Sequence, residues 1–240
     1  MMSHQAAVNT KMLFLIRRRE HATRDALIAH WYKNHMPAVI AAQSSAKSRG
    51  FNHATRYWAT LFQDDPKSRW DGVAQLWFES PMPYPQLPFG TQPSDSFQEH
   101  AAPYNAWETS ETVLFDHLPA AEGLTLNEAY PTTRTSVHRT TVLIPSETER
   151  LDLNALSEWL EQNASHFGSR AQGSGCLRCA VSLSTEIDRD PYLGVIEFYF
   201  AAPDDWQNYS ADVGDAFIQS LLLAEETEIY FSDTELIGIP

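Results

Sequence analysis

The chain repeats itself, and the repeat limits what it can fold into. Shifted by 128 positions, Phe14-Leu15-Ile16 falls on Val142-Leu143-Ile144, Trp31 on Trp159, and the hexamer His30–His35 (HWYKNH) on Glu158–Asn163 (EWLEQN). A second block, Asp71–Pro81 (DGVAQLWFESP), matches Leu193–Pro203 (LGVIEFYFAAP) at a shift of 122, and Glu111–Asp116 (ETVLFD) is a weaker match to Glu228–Asp233 (EIYFSD). Three blocks in the same order imply two copies of one unit of about 110 residues each. The expected boundaries are 10–118 and 134–240, joined by a linker over roughly Leu118–Arg134.

The first copy opens with an apolar run, Met12–Ile16, of strand length, followed by three arginines. Thr23 is placed to cap a helix, Asp25 falls in its first turn, and Leu27, Ile28, Trp31, Tyr32 and His35 recur at helical spacing. Pro37 is expected to end that helix and leave His35 in its last turn. Phe51–Phe62 and Trp70–Phe78 read as strands joined by a turn at DDPKS, Asp95–Trp107 as a second helix, and Val113–Phe115 as a short fourth strand. Between them, Pro81–Pro93 holds five prolines in thirteen residues, a stiff loop that could serve as a lid over a pocket.

The second copy follows the same order without the proline insertion. Its strands are expected at Val137–Ile144, Cys176–Leu183, Tyr192–Phe200 and Glu228–Ile237, and its helices at Leu153–Phe167 and Asp204–Leu223. Each copy therefore reads β-α-β-β-α-β, the split βαβ or ferredoxin-like arrangement. Helices cover one face of such a sheet, and the aromatic strands suggest an apolar opposite face. Pairing the two sheets within the chain would cover it, giving an α+β pseudo-dimeric barrel.

Composition narrows the partners. A net charge of −14 opposes nucleic acid and anionic membrane surfaces, and no apolar stretch approaches the length of a bilayer span. The first ten residues lack a charged region leading into an apolar core, so the cytoplasm is the expected compartment. Cys176 and Cys179 form a lone C-x-x-C; on a regular strand they would face opposite ways, which favours two small structural residues over a metal or redox pair. Nine histidines are present, seven in the first half, without familiar metal-site spacing, and no phosphate-binding loop, nucleophile elbow or H-E-x-x-H occurs.

A strand ending in arginines, a helix closing on W-x-x-x-H (Trp31 and His35, then Met36-Pro37) and a strand of the form DG-V-A-x-L-W-F (Asp71–Phe78) resemble the EthD-type family of the dimeric α+β barrel superfamily. The resemblance covers nearly all of 10–118 and the second copy in outline. It implies paired ferredoxin-like units with a cavity between helices and sheet. It also implies relatives that decarboxylate, dehydrate, cyclise or oxidise aromatic, polyketide-like compounds, generally without a bound cofactor, and others that bind haem.

The resemblance makes His35 the candidate catalytic residue, an imidazole able to act as general acid or base near neutral pH. Asn163 stands at its counterpart in the second copy and cannot titrate. Trp31, His53, Tyr57, Trp77 and His100 are the candidate substrate contacts; His53, Thr55 and Tyr57 alternate, so they should share a sheet face, with Trp58 on the other. Against this, a histidine at a helix end can simply bond a carbonyl, and strand aromatics fill cores before they line pockets. Three functions remain open: a cofactor-independent lyase, cyclase, dehydratase or oxygenase acting on a small apolar or aromatic molecule; a non-catalytic protein of the same fold that binds such a molecule or assembles; and, more distantly, a haem-binding oxidative enzyme. No metal or cofactor is expected in the first two, and a homodimer of the tandem chain is compatible with all three.

Overall fold

In the computed structural model the described residues are 8–81, 96–103, 105–118, 130–146, 152–185, 191–211 and 213–240. The chain is mixed α+β with extensive antiparallel sheet. It divides into two compact units. Neither is one uninterrupted half of the sequence: Ser232–Pro240 belongs with the unit built on Thr10–Glu108, and Thr109–Pro119 with the unit built on Ser136–Phe231.

In the first unit, strands β1 (Val8–Ile16), β2 (Ala54–Leu61), β3 (Gly72–Phe78), β5 (Thr132–Arg134) and β10 (Thr234–Gly238) lie in the order β5-β10-β2-β3-β1. Neighbouring strands run antiparallel: Phe14 stands opposite Ala74, Tyr57 opposite Leu76, and Ile237 opposite Trp58. One sheet face carries the helical segment. Met12, Tyr57, Leu76 and Leu236 from the strands form a buried core with Leu27, Trp31, Met36 and Ile40 from the helix.

That helix starts as expected. Thr23 accepts a hydrogen bond from the Ala26 amide at 3.1 Å, with Asp25 in the first turn. It does not stop at Pro37. Helix α1 (Arg24–His30) passes through one π turn, Trp31–His35, into α2 (Met36–Ser48), so His35 lies in the middle of a continuous helical segment. Proline has no N–H for the carbonyl four residues back, and its ring presses on that carbonyl. Widening the preceding turn by one residue relieves the conflict, and the Met36 amide bonds the Trp31 carbonyl instead.

The expected helix over Asp95–Trp107 is also not formed among the described residues of that span. Ser96–Glu99 is a single 3₁₀ turn, and β4 (Asn105–Asp116) is already extended by Asn105. Its consecutive residues Ala106, Trp107, Glu108 and Thr109 are all buried, as in a strand covered on both faces. Apart from Pro81, the proline-rich loop Pro81–Pro93 lies outside the described residues.

In the second unit, β4, β6 (His138–Pro145), β7 (Cys176–Ser184), β8 (Tyr192–Phe200) and β9 (Glu228–Ser232) lie in the order β4-β7-β8-β6-β9. Helix α3 (Leu153–Gly173) is capped by Asp152 and runs on as a regular helix past Trp159 and Asn163. The single helix expected over Asp204–Leu223 is instead α4 (Pro203–Ala211) and α5 (Ala216–Leu222). Gly214 turns the chain between them at φ 64°, and Asp215 caps α5 by accepting from the Ile218 amide at 3.0 Å. A β-bulge between Cys176 and Arg178 breaks the alternation, so both cysteines enter the same helix-side core rather than opposite faces; both are free thiols.

The sheet faces away from the helices correct a further expectation: they are buried but not apolar. In the first unit Lys11 stands opposite Trp77 with its ammonium 5.1 Å from the ring centre, Arg56 lies over the same ring at 4.5 Å, and buried Arg134 pairs with buried Glu235. In the second, Arg139 and Arg178 stand opposite Tyr199 from either side, Arg139 pairs with Glu197, and Arg178 meets Glu111 at 3.1 Å. Arg139 and Tyr199 fall on Lys11 and Trp77 when the sequence is shifted by 128 and 122 positions. Such charges are tolerated because each is matched by an opposite charge or an aromatic face. Among the described residues no helix is long and apolar enough to cross a membrane.

Candidate functional site

The π turn has no counterpart in α3 of the second unit, and such turns recur at functional sites. Its inward side is Trp31, wholly buried. The indole lies where Gly72 has no side chain: a Cβ there would sit 3.2 Å from Trp31 Cζ3 and 2.5 Å from the Thr60 carbonyl oxygen. Asp71 has a separate task, accepting from the Arg18 amide at 2.6 Å and so tying β3 to the end of β1.

Trp31 Nε1 donates to the buried Tyr57 hydroxyl at 2.9 Å. Phe97, carried by the 3₁₀ turn and fully buried, fills the space beside them. His35 stacks on it with ring centres 4.3 Å apart and planes 13° apart, and Trp31 lies 5.8 Å away. His30 stacks on the same phenyl ring at 5.9 Å and lies 4.9 Å from His100. Backbone bonds hold the turn in place, the Arg19 amide to the His100 carbonyl at 2.8 Å and the Ala102 amide to the Arg17 carbonyl at 2.8 Å. The arginine run after β1 is therefore partly a docking edge for Phe97.

Of the residues singled out from sequence, Trp31, Tyr57, His35 and His100 come together around Phe97, although His100 reaches His30 rather than His35. Trp77 lies on the opposite sheet face, against Lys11, Arg56 and Trp58. His53 precedes β2 and pairs its Nδ1 with the Phe51 carbonyl at 3.0 Å. The shared face expected of His53, Thr55 and Tyr57 is lost to a bulge between Ala54 and Arg56, which puts Ala54 in the core with Tyr57. Among the described residues no group of three histidine, cysteine, aspartate or glutamate side chains could hold a metal ion. In α3, Asn163 bonds its amide back to the Trp159 carbonyl at 3.0 Å within an unbroken helix, so the second unit has neither the histidine nor the π turn.

The outward side of the same turn is different. Tyr32, Lys33 and Asn34 form one wall of an open groove of about 750 Å³, and Tyr130, Pro131, Thr132 and Thr133 form the other. The Tyr32 and Tyr130 rings are nearly parallel, 20° apart in plane with centres 6.4 Å apart. Thr132 and Thr133 are held by β5, where they stand opposite Ile237 and Leu236 of β10. Sequence reasoning missed this wall because 130–133 fell in the linker. Tyr32, Lys33 and Asn34 stood inside the W-x-x-x-H motif, whose signal lies in the flanking Trp31 and His35.

No protein-family model matches the sequence, and no curated protein matches it. Solved structures resemble the fold. One is an anthrone oxidase-like protein, at 11% identity over 98% of this chain and 93% of that one, with a TM-score of 0.48. Another is a haem-binding protein from Thermus thermophilus, at 6% identity over 99% and 94%, with a TM-score of 0.46. A third is a single-residue mutant of chlorite dismutase from Candidatus Nitrospira defluvii, at 9% identity over 95% and 92%, with a TM-score of 0.45. At identities of 6–11% and TM-scores below 0.5, these likenesses carry nothing about what this chain is, binds or does.

Proposed function

We propose that this chain is a tandem α+β barrel protein of two ferredoxin-like units and that it binds a small aromatic molecule in the groove outside the π turn, without chemistry at His35. The exchange of closing strands between the halves supports the architectural part. The observation that carries the functional part is the groove itself: about 750 Å³, with two near-parallel phenol rings. That volume lies in the range of small-molecule sites, roughly 300–1,000 Å³. On the inner side, the imidazole of His35 is laid against Phe97, and the place a substrate ring would take beside Trp31 is occupied by that phenyl group. A general acid or base needs the reacting proton within hydrogen-bond reach, and Phe97 takes the place beside Trp31 from which a substrate ring would present one.

Calorimetric titration with a panel of bicyclic aromatic compounds tests this reading. Binding that weakens in Tyr32→Ala and Tyr130→Ala but persists in His35→Ala supports it. Turnover of a bound compound that disappears in His35→Ala would overturn it in favour of an enzyme.

A further inference from the structure

Building on that reading, we infer that the groove selects a planar aromatic carboxylate, with the ring against Tyr32 and Tyr130 and the carboxylate at Lys33. Three observations converge on this class. The two phenol rings are nearly parallel, so they offer flat faces against which a planar aromatic ring can stack. Among the described residues Lys33 is the one charged side chain lining the groove, in a chain whose net charge is −14. Over most of the surface an anion is repelled, whereas in the groove an ammonium stands among described lining groups that include no carboxylate. The remaining polar groups, the Asn34 amide and the Thr132 and Thr133 hydroxyls, can donate to carboxylate oxygens, while an ammonium ligand would meet Lys33 as a like charge.

The location follows from the helix geometry. In the π turn, Tyr32, Lys33 and Asn34 lie along one wall of the groove while Trp31 remains buried. The second unit, whose helix continues regularly through Glu158–Asn163, has glutamate at the counterparts of His30 and Lys33, so the cation belongs to the first unit alone.

The test compares 2-naphthoate with its neutral isostere 2-naphthamide by calorimetry on the full chain. The expected result is that naphthoate binds about fivefold more tightly, as a partly exposed charge-assisted pair gives. Lys33→Met should remove that preference, Lys33→Arg should keep it, and added salt should weaken naphthoate alone. Equal affinities for the two compounds, unchanged in Lys33→Met, would overturn the carboxylate inference and leave the aromatic groove standing. Failure of both compounds to bind, or binding indifferent to Tyr32→Ala, would overturn the groove reading itself and this inference with it. Circular dichroism of each variant separates lost affinity from lost folding.

Discussion

Trp31 and Tyr57, one on the helical segment and one on β2, share a hydrogen bond of 2.9 Å with both side chains at or below 1% exposure. The bond fixes the rotation of the indole over Gly72, and the indole in turn seats the π turn. Tyr57→Phe keeps the ring and leaves the buried indole N–H without its acceptor, at a cost of about 1–3 kcal/mol. Urea unfolding should register that loss, while the affinity of the groove for its aromatic ligand stays near the wild-type value.

Gly72 is held to glycine by the close approach of β2 and Trp31 rather than by a special backbone angle. In Gly72→Ala the added methyl meets the Thr60 carbonyl, a backbone atom that cannot swing aside, so the expected destabilisation is about 1–3 kcal/mol. Gly173→Ala is the control: nothing lies within 4 Å of its added Cβ at the end of α3. There, thermal unfolding should show no loss, or a gain of about 0.4–1 kcal/mol from the stiffer unfolded chain.

Arg178 and Glu111 are both fully buried and 3.1 Å apart. Burial works against the arginine's charge, but Tyr199, Glu111, Glu197 and Asp116 outweigh it and hold the guanidinium pKa above the ordinary range. Glu111→Leu leaves that cation without its fully buried partner and should cost about 3–5 kcal/mol. Adding Arg178→Met removes the stranded charge, and chemical denaturation of the double variant should recover much of the loss. A double variant no better than Glu111→Leu alone would show that the pair acts through packing rather than charge.

The Cys176 thiol, desolvated in the helix-side core, has its pKa pushed up to about 12, the nearby Tyr199 and Arg178 backbone groups and the Arg178 charge only partly opposing burial. The unfolded thiol ionises at about 8.5, so between these values the native state holds a proton that the unfolded state has lost. The resulting stabilisation is complete below the unfolded value and disappears as pH rises toward about 12. Native protein at pH 8 should therefore react with a disulfide reagent only after denaturant is added, and Cys176→Ala should show a shallower loss of stability on the alkaline side.

Local rules made much of the chain legible. Thr23 and Asp25 marked a helix start, and β8 occupies the Tyr192–Phe200 span read from its apolar run. These succeed because caps and strand periodicity depend on neighbours in sequence. What failed depended on contacts distant in sequence. Pro37 was expected to break the helix, yet one widened turn accommodates it within a segment whose inner face is packed by β2, β3 and Phe97. The bulges beside Ala54 and Cys176 shift faces that alternation alone would assign, and no periodicity reveals an extra residue. Charged residues on the strands read as scattered polar positions, whereas their burial rests on partners more than fifty residues away, such as Glu111 for Arg178 and Glu235 for Arg134. Signals local in sequence were enough to place most of the main strands and the starts of the first helix of each unit. The tertiary structure alone decided that Phe97 would fill the place beside Trp31 and that Tyr130 would stand across from Tyr32, because both depend on where the chain returns and not on what flanks each residue.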